Sequence, residues 1–236
     1  MSGKALLVFT VCFCGSLLFV ALALHNWGAA EIRKDYGEVI FLTVGGIVWL
    51  ALATKLCAWF GVSLRDDAIE RGNDAALVAL CGAVLSAAVV YAGGSVGEGP
   101  SYLNNVFSFG LAGTGLIVLW IFLELGSGVS RSIVEERDLA SGIRLAGYLL
   151  SISLVLGRAV AGDWHSESGT VWDFIKEGWF AAVICVVAVP MERYSRPNRQ
   201  HPFRAWAPHG LIPASVYVAL AWVWLWHLGL WEGYPR

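Results

Sequence analysis

Charged residues are scarce in this sequence. Asp, Glu, Lys and Arg make up 14% of its 236 residues, whereas hydrophobic residues make up 57%. A soluble domain usually contains about 25% charged residues. The composition therefore excludes an ordinary soluble domain and predicts a membrane protein, in contact with membrane lipid. The formal net charge of −2 does not favour a nucleic-acid partner, and we expect none.

Motifs of cofactor, metal and catalytic sites are missing as well. None of the five cysteines forms a CxxC pair or is spaced from a histidine like a metal ligand: Cys12, Cys14, Cys57, Cys81 and Cys185. All five fall in apolar runs, where cysteine usually packs as a small hydrophobic side chain. The sequence has no nucleophile elbow, HExxH, phosphate-binding loop or GxGxxG motif. We expect no cofactor, no metal and no enzymatic activity.

Long apolar runs occupy most of the chain. A transmembrane helix needs about 20 residues. The runs cover about 5–27, 39–60, 74–94, 106–125, 139–161, 179–190 and 211–231. The sixth run is short, so we expect its helix to begin in the amphipathic segment before it. About seven spans and their turns use the whole sequence, which predicts an all-α, polytopic transmembrane helical bundle with a single domain over 1–236.

The third and fifth spans resemble one another. Each follows a charged turn that contains Gly-Val-Ser, at 61–63 and at 128–130, and each has a capping residue at its start, Asn73 or Asp138. With these caps aligned, small residues coincide along the helices: Ala75 with Ala140, Gly82 with Gly147, and Ser86 with Ser151. Chance similarity between apolar helices is the alternative explanation.

We favour an internal repeat, because the turns match as well as the apolar helices. The pattern predicts two helical hairpins, at 39–98 and 104–163, with the same orientation across the membrane. Residues 172–236 are then a two-helix addition at the C-terminus.

The segment 66–85, DDAIERGNDAALVALCGAVL, resembles the signature of a bacterial inner-membrane family known as domain of unknown function 350. The matching residues are Asp66, Ile69, Gly72, Asn73, Ala75 and Ala76. In the second copy Asp138 stands where the family tends to have Asn, and only Ala140 and Gly142 keep the small-residue pattern. The resemblance covers about 39–161 and implies a bacterial inner-membrane protein with two such hairpins. It implies no activity, since the family has none agreed.

Basic residues in the short loops predict the orientation. One set of alternate loops holds Arg65, Arg71, Arg131, Arg137, Arg193, Arg196, Arg199 and Arg204. The opposite side holds Arg33, Lys34, Lys176 and Arg236. Because cytoplasmic loops carry an excess of Lys and Arg, we expect the N-terminus in the cytoplasm and the C-terminus outside.

Three charged residues fall within apolar runs near the predicted cytoplasmic side: Lys55, Glu124 and Arg144. Charges at membrane depth are costly and often functional. They could line a permeation or binding path. Alternatively, Lys55 extends to the lipid headgroups and Glu124 pairs with Arg144. We favour the second interpretation, which predicts a Glu124–Arg144 ion pair.

A second cluster is expected at the opposite end of the bundle, from Tyr91, Glu98, Arg158 and Asp163. One interpretation is an outward-facing site for an anion or a small solute. The other, which we favour, is a structural salt bridge from Arg158 to Glu98 or Asp163.

Small residues recur every four positions on the third span, at Ala75, Ala79, Ala83 and Ala87. Such a face lets helices approach closely in lipid, within one chain or between protomers. We expect a homo-oligomer that forms a small-ion or solute pathway. The alternative is a non-transporting membrane scaffold whose basic segment 192–209 recruits a cytoplasmic partner or anionic lipid.

Overall fold

A computed structural model describes residues 2–197 and 205–229. This part of the chain contains ten α-helices, two π-helical turns and no strand. The helices are α1 Ser2–Trp27, α2 Ala30–Lys34, α3 Tyr36–Trp59, α4 Asp74–Ser95, α5 Tyr102–Ser127, α6 Val129–Val134, α7 Leu139–Ala159, α8 Glu167–Gly178, α9 Phe180–Ser195 and α10 Ile212–His227. The π-helical turns are Leu64–Glu70, before α4, and Ala207–Leu211, which leads into α10. The prediction of an all-α bundle is confirmed.

Within the described residues, six helices are long and apolar enough to cross a bilayer: α1, α3, α4, α5, α7 and the continuous segment Ala207–His227. The pair α8 and α9, bent by 43°, counts as a seventh if the two helices form one broken span. The bend separates the amphipathic segment, α8, from the apolar run, α9, where the sequence predicted one helix that begins in the amphipathic segment. The end of the predicted seventh span, at Trp231, lies outside the described residues, and so do Arg199, Arg204 and Arg236.

Helices α4 and α7 form the centre of the bundle. Their most apolar stretches are 72% and 67% buried, against 17–33% for the other long spans. Their backbones approach closely because glycine lies at the crossing. A Cβ added at Gly82 would lie 2.4 Å from the Cβ of Ala146, and one added at Gly93 would lie 2.4 Å from the carbonyl oxygen of Gly157. Larger side chains at these positions would force the two helices apart.

The alanine face of α4 is covered within one chain. Ala75, Ala79, Ala83 and Ala87 are 1–6% exposed. At one end of this face, Gly142 of α7 lies directly against the backbone of Ala75. At the other end, the carbonyl of Ala87 accepts a hydrogen bond from the indole nitrogen of Trp49 at 3.0 Å. These side chains therefore pack inside the protomer.

The turns before α4 and α7 have the same local geometry. The amide of Asn73 donates to the carbonyl of Asp67, and the amide of Asp138 donates to that of Ser132, both at 3.0 Å. The preceding residues both have positive φ, 60° at Gly72 and 53° at Arg137. Glycine adopts this left-handed conformation readily, whereas it is uncommon for arginine. The two aligned turns therefore have the same backbone conformation. This similarity agrees with an internal repeat of hairpins 39–98 and 104–163, which stays a prediction.

Hydrogen bonds between turns define two ends of the bundle. At the end that we call the arginine-rich end, the Asn73 amide group donates to the carbonyl of Ile133 at 2.8 Å, which joins the turns before α4 and α7. Arg196, after α9, reaches the carbonyl of Ser127 there at 3.1 Å. At the opposite end, the amide of Glu98 donates to the carboxylate of Asp163 at 2.9 Å, which joins the loops after α4 and α7.

Candidate functional site

A buried ion pair lies near the arginine-rich end of the bundle. Arg144, in the second turn of α7, has 1% of its surface exposed, and Glu192 of α9 has 3%. The guanidinium contacts both carboxylate oxygens, with Nε 2.5 Å from Oε2 and Nη2 2.6 Å from Oε1. Two-point pairing of this kind fixes the relative orientation of the two side chains as well as their distance. It therefore joins α7 to α9 in the interior.

A third element completes the coordination of Arg144. Its Nη1 group donates to the carbonyl of His209, in the π-helical turn before α10. In α-helical geometry this carbonyl would accept from residue 213, but Pro213 has no N–H group. The arginine takes the place of that α-helical donor. One side chain thus binds α7, α9 and the start of the last span.

Asp138 and Ser141 surround the pair on the α7 side. The Asp138 carboxylate accepts from the amide of Ser141 at 2.9 Å and so caps the helix. The Ser141 hydroxyl lies 2.8 Å from this carboxylate, 2.8 Å from Glu192 and 2.7 Å from Arg144 Nη2. A hydroxyl has one proton to donate and two lone pairs to accept with. It therefore accepts from Arg144 and donates to one of the two carboxylates.

The predicted ion pair between Glu124 and Arg144 is wrong. The Glu124 carboxylate accepts instead from the backbone and hydroxyl of Ser130, at 3.0 and 2.6 Å. The chain reverses at Gly128, which has φ of 64°, and this reversal brings Ser130 back onto the last turn of α5. Comparing depths along two helices could not show which way each side chain points around its helix axis.

Lys55 is also separate from the other two residues of the predicted cluster. Its side chain is exposed on α3, and it forms no ion pair with any residue in 2–197 or 205–229. The structure therefore does not bring Lys55, Glu124 and Arg144 together.

Glu192, the partner of Arg144, is a residue that the sequence analysis missed. It lies immediately after the apolar run of α9, within one turn of the end of that helix. Arg144 lies within two turns of the start of α7, so the two residues are at similar depths. A buried arginine requires an anionic partner, and an acidic residue at a similar depth is the available signal. Glu124 satisfied the same criterion, so the sequence did not distinguish the two.

The predicted cluster at the opposite end separates into several structural contacts. Arg158 pairs with Glu177 of α8 at 2.9 Å, so the predicted salt bridge to Glu98 or Asp163 is wrong. Asp163 instead accepts from the Glu98 amide. Tyr91 is buried and donates to the carbonyl of Leu42 at 2.6 Å. These contacts join α3 to α4, α7 to α8, and the loop after α4 to the loop after α7.

The basic segment 192–209 is held at both of its ends by Arg144. Glu192 begins the segment and the carbonyl of His209 ends it. Arg193 and Arg196, which are exposed, also donate to the carbonyls of Gly126 and Ser127 at the C-terminus of α5. Cationic side chains stabilise this end of a helix. Residues 198–204 of the segment lie outside the described residues.

Comparison of the chain with protein-family models, curated proteins and solved structures finds no match. The resemblance to the family known as domain of unknown function 350 therefore stays a prediction. The class of protein follows from the fold alone. Because residues 2–197 and 205–229 contain six or seven apolar helices long enough to cross a bilayer, this chain is a multi-pass helical membrane protein.

Proposed function

We propose that this protein is a non-transporting membrane scaffold that presents its basic segment 192–209 to an acidic cytoplasmic partner. The observation that carries the proposal is that one buried arginine binds both ends of this segment. The buried charge thus holds the two ends of this segment, at Glu192 and His209, in place.

A segment that is fixed at both ends has less conformational entropy to lose when it binds a partner, so the cost of ordering it is smaller. The segment also carries clustered positive charge, with Arg193 and Arg196 exposed at its start. Arginine clusters recognise acidic groups through charge-assisted hydrogen bonds. We also propose that the arginine-rich end of the bundle lies on the cytoplasmic side of a bacterial inner membrane. Its support is the excess of arginine at this end and the resemblance to the inner-membrane family.

A homo-oligomeric small-ion or solute pathway is the second candidate. The observation that favours it is the low burial of α1 and α3, whose most apolar stretches are 22% and 17% buried by the chain itself. Such surfaces face lipid or a second protomer. Within one protomer, by contrast, Arg144 and Glu192 pair with each other instead of lining a cavity. We therefore place any such pathway between protomers.

Two measurements on reconstituted protein test the proposal. Cross-linking to cytoplasmic proteins should be lost in the double variant Arg199→Gln, Arg204→Gln. It should persist in a matched variant of the opposite end, Arg33→Gln with Lys34→Gln. Ion flux in liposomes should stay at background for the wild type. Protein-dependent ion flux above background would contradict the scaffold and support the ion or solute pathway. Identical cross-linking by the two double variants would mean that segment 192–209 does not bind the partner.

A further inference from the structure

A groove runs between α3 and α5, with α4 as its floor. Its volume is about 390 Å³, within the range of roughly 300–1,000 Å³ that is usual for small-molecule sites. The lining includes Trp49, Lys55 and Trp59 of α3, Ala87 of α4, and Gly113 and Leu116 of α5. Apart from Lys55, it is almost wholly apolar.

The deep end of the groove is built around Trp49. The indole donates to the carbonyl of Ala87 at 3.0 Å and packs edge-on against Phe109, with ring centroids 4.9 Å apart. A Cβ added at Gly113 would lie 2.7 Å from the Trp49 ring. The ring therefore occupies its position only because residue 113 has no side chain. Near the other end, Phe60 stacks on Trp120 at 4.2 Å and bridges the two sides of the groove.

The groove has the length of one lipid leaflet. From Trp49 to Trp59 the helix rises about 15 Å, at roughly 1.5 Å per residue. The hydrocarbon core of a bilayer is about 30 Å thick. The groove therefore reaches from the middle of the bilayer to the arginine-rich end. Trp59, 88% exposed at that end, is a residue type enriched at the headgroup level.

Lys55 gives the groove a charge that its long side chain can bring to the headgroup level. It lies one helical turn before the end of α3 and has no ion-pair partner among the described residues. The carboxylate of Glu124, at the same end of α5, already accepts from Ser130 with both of its oxygens. Arg144, the other cation of the predicted cluster, is paired with Glu192. Lys55 is thus free to bind an anion from outside the chain.

We propose that this groove binds an anionic phospholipid from the leaflet at the arginine-rich end. One acyl chain lies along Leu116 and the Trp49 ring, and the phosphate contacts Lys55. The complementarity is twofold, since an apolar channel of leaflet length ends at a single positive charge. The site does not include segment 192–209 and so goes beyond the scaffold function.

Lipid binding can be measured by native mass spectrometry and by thermal unfolding in a zwitterionic detergent. We expect phosphatidylglycerol to raise the melting temperature more than phosphatidylcholine does. Lys55→Gln should weaken phosphatidylglycerol binding about fivefold, the effect of one lysine at an anionic surface. Lys34→Gln, an exposed lysine at the opposite end, should leave it unchanged. Equal binding of the two lipids, or no loss in Lys55→Gln, would overturn the proposal.

Two glycines of α5 provide a matched test of the groove itself. Gly113→Leu should displace Trp49 and abolish the phosphatidylglycerol effect, whereas Gly110, with nothing within 4 Å of an added Cβ, should tolerate leucine. If Gly113→Leu does not fold, Leu116→Trp fills the same groove from the neighbouring turn. Lipid binding retained in a folded groove-filling variant contradicts the proposal. So does a shift to a smaller oligomer with lipid binding intact, which would assign the groove to a second copy of the chain.

Discussion

Arg144 and Glu192 lie 48 positions apart in the sequence and form a two-point ion pair that is almost completely buried. Taking two charges out of water is costly, and their attraction repays this only when the geometry is good and the remaining donors are satisfied. Here Ser141 and the carbonyl of His209 supply the remaining acceptors. The arrangement fixes how α7, α9 and the last span meet, whether or not it adds net stability.

This pair should show strong coupling in a double-mutant cycle. Arg144→Gln should cost about 3–5 kcal/mol, because it leaves the Glu192 carboxylate unpaired in the interior. Glu192→Gln should cost less, because the Asp138 carboxylate, 3.7 Å from Nη2, still faces Arg144. The double variant should cost much less than the sum of the two. Unfolding free energies measured in detergent give the comparison. Additive losses would mean that the two charges do not meet.

Glu124 should behave independently of Arg144. Glu124→Gln removes the charge that accepts from Ser130 and should cost about 1–3 kcal/mol. Its effect should be non-additive with Ser130→Ala and additive with Arg144→Gln, because the two networks share no partner. The same unfolding assay measures both pairs of variants. Coupling of Glu124 to Arg144 above about 0.5 kcal/mol would contradict the separation.

The Arg158–Glu177 pair should be much weaker than the buried pair. Its side chains are 19% and 27% exposed, so solvent screens part of the attraction. We expect a coupling energy of about 1 kcal/mol or less from the corresponding double-mutant cycle, and a smaller value at high salt. If Arg158→Gln leaves the protein folded but abolishes a transport or ligand-binding signal, the earlier alternative of a site for an anion or a small solute is revived.

Close packing of α4 against α7 predicts opposite effects of two glycine substitutions. An added Cβ at Gly142 would lie 2.4 Å from the carbonyl oxygen of Ala75. Gly142→Ala should therefore cost about 1–3 kcal/mol, as is usual for overpacking. Gly110→Ala has open space and should stabilise α5 by about 0.5–1 kcal/mol. Thermal unfolding of the two variants measures the contrast, and equal effects would argue against a tight crossing.

The orientation can be measured with single cysteines in a cysteine-free background. A cysteine at position 71, in the turn before α4, should react with a membrane-impermeant reagent only from the cytoplasmic side. A cysteine at position 34, in α2, should react only from the opposite side, because one span separates the two. Labelling of both from one side contradicts the predicted topology. If each cysteine reacts only from the side opposite to the expected one, the protein has the inverted orientation with the same transmembrane spans.

Local features of this protein could be read from its sequence. The length of each apolar run determines whether a helix crosses the bilayer. The capping role of Asn73 and Asp138 depends only on the next three residues, and both caps are present.

The partner of Arg144 was decided by the tertiary structure. Sequence position gives the depth of a charge along its helix, and by that measure Glu124 and Glu192 were both acceptable partners. The direction in which a side chain points around the helix axis, and the helix that it then meets, depend on packing. Gly82 and Gly93 let α4 pack on one side of α7, and α9 and the turn before α10 cover another. Arg144 therefore faces Glu192, while the reversal at Gly128 turns Ser130 onto Glu124.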